Sequence, residues 1–286
     1  SGPGYNTIDY LEGKMKPNLD DNLGAPVILA EVSRSQNISM LYFGTGCIFE
    51  YDKEHTSTNF NGFTESDYPN FFGSSYSTVK ASTDNLMRQY PTVLNARIRM
   101  PIADNHHSKD FISKIMNYDR IVSIPNSMTV LSDIMPTLLG LLVQKVGGAV
   151  NSTNPGTACH EEILAAFNHT GFTLIPDSEL AGMLDGRRSN NYLDTTRIEK
   201  LNLEIPQSIK EKYAVPAKLK HIMERIKELT LIRAGTDHKV MTAIILKRRI
   251  MVTGCCGFIG SNFVNNHLAN NPFDFVMNID RLDPCS

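Results

Sequence analysis

Tyr76 and Lys80 stand four residues apart in "SSYSTVKASTDNLMRQY", a stretch with helical spacing, so the two side chains share one face. An ammonium beside a phenol favours the phenolate and lowers the phenol's pKa. Such a tyrosine can pass its proton to a carbonyl oxygen while hydride attacks the carbon. Thr45 ends the preceding run "NISMLYFGT", and its hydroxyl could donate to the same oxygen. Lys80 could reach the ribose of a nicotinamide nucleotide. A bare Tyr-x-x-x-Lys pair is common on helix surfaces. What lifts this one is the order: Thr45 at a strand end, an acid-rich loop, then the pair.

A second pattern lies near the other end. "RRIMVTG" is a basic edge followed by a short apolar run, and it predicts a buried strand over 250–253. "GCCGFIG" then places glycines at 254, 257 and 260. Gly254 permits the turn out of the strand, Gly257 a close approach to a pyrophosphate, and Gly260 close packing of the following helix. That helix, expected over about 258–268, would turn its free N–H groups toward the phosphates. "FDFVMNID" reads as the next strand. It ends in Asp280, placed to accept from an adenosine ribose hydroxyl.

Between these patterns the chain alternates. "GAPVILAEVSRSQ" predicts an apolar-faced helix, "NISMLYFGT" a strand, and "TVLNARIRMPI" a second strand stopped near Pro101. "HEEILAAFNHTGF" predicts a helix ending at Gly171, and a long charged helix is expected after Pro216. The alternation argues for a parallel α/β sheet. The domains are read as 1–206, a helix and connector over 207–249, and a β-α-β start of a second nucleotide-binding domain over 250–286.

Lys and Arg number 28 against 30 Asp and Glu, a net charge of −2, so no basic excess points to nucleic acid. The five cysteines lack zinc or disulfide spacing and read as reduced thiols of a cytoplasmic protein. "TLLGLLV" is too short to span a membrane.

"GTGCIFEYD", "YPNFFGSSYSTVKA", "RIRMPI" and "IPNSMTVL" together resemble the extended short-chain dehydrogenase/reductase superfamily. More narrowly, residues 4–205 are similar to the 4-keto-rhamnose reductases and the bifunctional 3,5-epimerase/4-reductases of nucleotide-diphosphate-rhamnose synthesis. The fold implied is an incomplete Rossmann-like parallel sheet. The resemblance implies Thr45, Tyr76 and Lys80 as catalytic triad. Tyr76, Lys80 and Met100 would lie on NADPH. Asn126, Ser127, Met128, Thr129, Arg188 and Asn191 would line the site of a UDP- or dTDP-linked sugar.

Leu11 falls where the bifunctional enzymes are expected to carry a cysteine used in epimerisation. A leucine moves no proton, so a separate 3,5-epimerase partner is expected. The family's own glycine loop is not in the chain. The tail, from "MVTGCCGFIG" to "RLDPCS", resembles instead the start of the nucleotide-diphosphate-glucose 4,6-dehydratases, which implies NAD at Gly254, Gly257, Gly260 and Asp280. The chain therefore reads as a window of a longer fusion, inactive on its own. The alternatives are a non-catalytic regulatory subunit of the same fold, or another sugar-nucleotide epimerase or dehydratase. NADPH-dependent turnover discriminates the enzyme from the binding subunit.

Overall fold

The fold is described from a computed structural model, which covers residues 8–59, 61–107 and 109–234 and the backbone of 249–253 and 275–279. The chain runs through α1 (Ile8–Leu11), α2 (Met15–Leu19), a π-helical turn (Asp20–Gly24), α3 (Ala25–Ser35), β1 (Met40–Thr45), α4 (Ser75–Met87) and β2 (Val93–Ile98). Then come β3 (Pro101–Ile102), α5 (Phe111–Ile115), β4 (Arg120–Ile121), β5 (Thr129–Val130), α6 (Leu131–Val143) and β6 (Gly148–Asn151). The body closes with α7 (His160–Ala166), β7 (Thr173–Leu174), α8 (Asp177–Ala181), α9 (Thr196–Glu204), α10 (Gln207–Tyr213) and α11 (Ile222–Ala234). β8 (Arg249–Thr253) and β9 (Phe275–Ile279) follow.

The architecture is α/β with parallel strands throughout the described sheets. The central sheet has the order β1-β2-β6, with Thr45 opposite Ile98 and Arg97 opposite Asn151. Parallel pairing needs crossover connections, and α4 and α6 lie on the β1-to-β2 and β2-to-β6 paths. Smaller parallel pairs join β3 to β5 and β4 to β7.

Side chains alternate across the strands. One face of the sheet sends Leu94, Ala96 and Val150, with Leu41 and Phe43 beside them, into a core that α6 completes with Ile134, Met135, Leu138 and Leu139. The opposite face carries Tyr42 and Gly44 of β1 and Asn95 and Arg97 of β2, and it meets α4. α4 starts cleanly: Ser74 is its N-cap, and its hydroxyl accepts from the Ser77 amide at 3.1 Å. Gly44 leaves room on this face for the Asn95 side-chain oxygen, with which a Cβ there would collide.

The helix expected in 24–36 forms over Ala25–Ser35, and the strand expected in 37–45 forms over Met40–Thr45. Two boundaries differ. The second strand stops at Ile98, before Pro101, because Met100 takes a left-handed φ of 39°. Pro101 then opens β3, opposite Thr129. The helix expected to reach Gly171 ends at Ala166, because Asn168 turns the chain at φ 56°. The described part of 207–249 packs onto the body. Tyr213, Val215 and Leu219 join the α6 core, while Ile222, Ile226 and Leu229 join a second core with Ile112 and Ile163. β8 and β9 pair in parallel, Arg249 opposite Phe275 and Thr253 opposite Ile279. Gly254, Gly257, Gly260 and Asp280 lie outside the described residues.

Candidate active site

The carboxyl ends of β1 and β2 bring the first candidates together, as expected of a parallel sheet. Thr45 is the last residue of β1 and is buried. Tyr76, in the first turn of α4, is hydrogen-bonded to the Thr45 hydroxyl. Lys80 lies one turn further along the same helix face and is also buried.

The charges differ from the sequence expectation. Burial pushes the Tyr76 phenol well above its usual range, Cys47 adds to this, and the Thr45 hydrogen bond only partly offsets it. The expected lowering by Lys80 is not what the structure gives, because the ammonium is engaged elsewhere. Lys80 Nζ donates to the Tyr42 hydroxyl at 2.5 Å and to the Phe43 carbonyl at 3.3 Å. Burial pulls Lys80 down to about 8, against the favourable charges of Asp84 and Cys47. The Tyr42 phenol is pushed well up by burial and by Tyr76 and Asp84, so at neutral pH it is uncharged.

A cavity of about 700 Å³ begins beside this group. Cys47 is on its wall, and the Cys47 amide donates to the Thr45 hydroxyl at 3.0 Å. Met100 and Arg188, both anticipated from the sequence, line the cavity. Arg188 Nη2 donates to Asp9 Oδ2 at 2.5 Å. Burial works against ionised Asp9, but Arg188 and the Gly186 amide hold its carboxyl below the usual range. Lys109, Lys114 and Arg120 also line the cavity. Arg120 is paired with Glu179, whereas Lys109 and Lys114 form no ion pair among the described residues. Burial and the neighbouring Lys109 lower the Lys114 pKa, with Asp110 opposing.

The structure places Asn126, Ser127, Met128, Thr129 and Asn191 behind this wall, all fully buried. Asn126 Oδ1 accepts from Arg99 Nη2 at 2.7 Å and from the Asn191 amide at 2.9 Å. The Ser127 hydroxyl accepts from the Leu193 amide at 2.9 Å. The Thr129 hydroxyl accepts from the Arg99 amide at 3.0 Å and donates to the Ser152 carbonyl at 2.8 Å. Met128 sits in the second core. Asn191 Nδ2 donates to the carbonyls of Gly46 and Phe49 at 2.9 and 2.7 Å. Asn126 and Thr129 fix Arg99, whose guanidinium also bonds Gly46 and Ser189 and which itself reaches the cavity.

Leu11 is buried at the start of α4, where its carbonyl accepts from the Ser75 hydroxyl at 2.9 Å, and it does not line the cavity. Proton carriers are present on the wall regardless: Cys47, Lys114 and His160. Sequence reasoning missed Tyr42, Cys47, Lys109, Lys114 and Arg120. Tyr42 reads as one more sheet-forming aromatic, and the three cations follow no helical or strand period.

No family model matches the chain. The L780 protein of Acanthamoeba polyphaga mimivirus is 45% identical over 228 residues, which cover 77% of this chain and 78% of L780. The crystal structure of the L780 UDP-rhamnose synthase superposes with a TM-score of 0.71 at 41% identity, covering 81% of this chain and 78% of that one. A bifunctional dTDP-4-dehydrorhamnose 3,5-epimerase/dTDP-4-dehydrorhamnose reductase of Arabidopsis thaliana is 38% identical over 219 residues, 73% of this chain and 71% of its own length. A dTDP-4-dehydrorhamnose reductase of Bacillus anthracis, solved with NADP, has a TM-score of 0.60 at 12% identity over 79% of this chain and 77% of its own, a likeness of fold alone. Sequence identity across most of two relatives and the parallel α/β architecture agree: the chain belongs to the extended short-chain dehydrogenase/reductase family of NAD(P)-dependent nucleotide-sugar oxidoreductases.

Proposed function

We propose that this chain carries the reductase chemistry of rhamnose-nucleotide synthesis: reduction of the 4-keto group of a UDP- or dTDP-linked 4-keto-6-deoxy sugar. The observation that carries the reading is the Tyr76–Thr45 hydroxyl pair at the carboxyl end of β1, beside a cavity whose wall bears Lys109, Lys114, Arg120 and Arg188. Lys109 and Lys114, which form no ion pair among the described residues, suit a diphosphate, while Arg120 and Arg188 are held by Glu179 and Asp9. Lys80 fits a nicotinamide ribose, because two of its three ammonium donors are spent on Tyr42 and Phe43. Tyr76, Lys80 and Met100 would hold the nicotinamide end. NADPH is assigned to this reaction, and NAD to the glycine loop at Gly254, Gly257, Gly260 and Asp280.

A nicotinamide held by Tyr76, Lys80 and Met100 would supply the hydride for the C4 carbon. Tyr76 gives its phenol proton to the C4 oxygen, and its raised pKa keeps that proton in place until the oxygen gains charge. Thr45 donates to the same oxygen and fixes the phenol's orientation. Lys80, as an ammonium, holds the ribose with the donor that Tyr42 and Phe43 leave over. Asn126, Ser127, Met128, Thr129 and Asn191 support the wall, and Arg188 meets the substrate.

Tyr76→Phe keeps the ring and removes the proton donor. In an NADPH oxidation assay with 4-keto-rhamnose nucleotide, turnover should fall about 10²- to 10⁴-fold. Unchanged turnover overturns the reading.

A second reading concerns inversion at C3 and C5. Cys47 and Lys114 share the cavity wall, which favours inversion in the same cavity over a separate epimerase partner. Incubation with the 4-keto-6-deoxyglucose nucleotide in deuterated water tests this. Deuterium should enter C3 or C5 without added epimerase, and its absence restores the separate partner.

A further inference from the structure

Tyr42 is a buried phenol that the proton transfer from Tyr76 does not use. It lies in β1 three residues before Thr45, on the sheet face that meets α4. Its side chain packs with Ala30, Met40, Met87 and Val93, an apolar setting in which a hydroxyl needs partners. Thr83 of α4 is one of them. The other is Lys80, whose ammonium approaches the Tyr42 oxygen at 2.5 Å and lies 4.4 Å from the ring centroid. We propose that Tyr42 is a positioning residue for Lys80: its neutral phenol oxygen replaces water around the buried ammonium, holding it charged and in place between β1 and α4.

The groups that face the ammonium decide the sign. β1 offers the Tyr42 phenol and the Phe43 carbonyl. The loop after β1 offers Cys47, and α4 itself offers Asp84. Tyr76, also on α4, acts on the same Tyr42 phenol. Arg97 of β2 acts through Asp84, which it binds with two hydrogen bonds of 2.9 and 2.6 Å. Much of the Asp84 charge is thereby answered by Arg97, leaving the ammonium dependent on the two oxygens from β1. Removing one of them disfavours the charged form.

The role rests on the reductase reading, but its test does not. The 286-residue chain is labelled with ¹³C and ¹⁵N at the lysine side chains, and the Lys80 signal is assigned by its loss in Lys80→Met. Lys80 should titrate near 8 in the unsubstituted chain. In Tyr42→Phe, which keeps the ring, it should titrate about one pH unit lower, a tenfold weaker hold on the proton. Tyr42→Gln returns an acceptor oxygen and should bring the titration back toward the original. Coincident titrations of the Phe variant and the unsubstituted chain overturn the proposal. If Tyr42→Phe does not fold, Tyr42→Gln decides alone, and a full-unit drop there overturns it. Where the reductase reading also holds, the alkaline limb of kcat moves down in Tyr42→Phe with KM unchanged. Loss of the reductase reading leaves the titration result standing.

Discussion

The two faces of the central sheet are built by different rules. Toward α6 the strands present Leu94, Ala96 and Val150, and the helix answers with Ile134, Leu138 and Leu139. Nothing on that face needs a particular partner; it needs volume and apolar surface. Toward α4 the same strands present Tyr42, Asn95 and Arg97, and the helix answers with Lys80 and Asp84. Buried charges there are tolerable only because Asp84 is paired with Arg97 and the Lys80 ammonium is hydrogen-bonded to the Tyr42 hydroxyl and the Phe43 carbonyl. The chemistry of Tyr76 and Lys80 sits at the upper end of this polar stripe, so the face that costs most to bury is also the face that positions reactive groups.

That comparison breaks or sharpens with a short series of variants. Arg97→Met should have the largest effect, because it leaves the buried Asp84 carboxylate with Asn95 and the more distant Arg88. A loss of about 3–5 kcal/mol in urea unfolding is expected. Adding Asp84→Leu to it should recover more than half of that loss; no recovery would mean that packing, not pairing, governs the face. Leu138→Ala on the apolar face should cost about 2–5 kcal/mol, graded by the cavity left behind. No second substitution on the strands should rescue it as a charge deletion does.

Gly44→Ala comes next. Its new Cβ would collide with the Asn95 side chain, so about 1–3 kcal/mol is expected, and Asn95→Ala should relieve part of it. The smallest effect concerns pH. Folded Lys80 loses its proton near 8, whereas the unfolded chain keeps it to about 10.5. The unfolded state binds more protons across that window, so stability relative to Lys80→Met should rise with pH through it. Between pH 8 and pH 9, about 1 kcal/mol is expected in urea unfolding. A difference that falls over the same range would place the charged form, not the neutral one, as the cheaper to bury.

Legibility in the sequence follows the same division. The α3 helix is readable from its apolar spacing and the β1 strand from its sheet-forming residues. Tyr76, Lys80 and Thr45 are readable because their spacing is local. Tyr42 is not, since an aromatic in a strand predicts core packing and says nothing of a lysine 38 positions away. The segment over 126–129 draws attention for its polar residues, and the structure turns them inward, Asn126 and Thr129 onto Arg99 and Ser127 onto the Leu193 amide. Lys114 and Arg120 owe their place on the cavity wall to α5 and β4, elements too short to show a period.

The network around Arg99 has a consequence for how the chain reaches its native state. Its hydrogen bonds join residues 90 positions apart at Ser189 and 145 apart where Asn191 meets Gly46. Closing such long segments costs chain entropy before any contact repays it. Contacts of this separation slow folding and belong to its later steps. The cavity wall should therefore assemble after α4 and the apolar sheet face are in place. Asn191→Ala would then speed unfolding and leave the refolding rate almost unchanged.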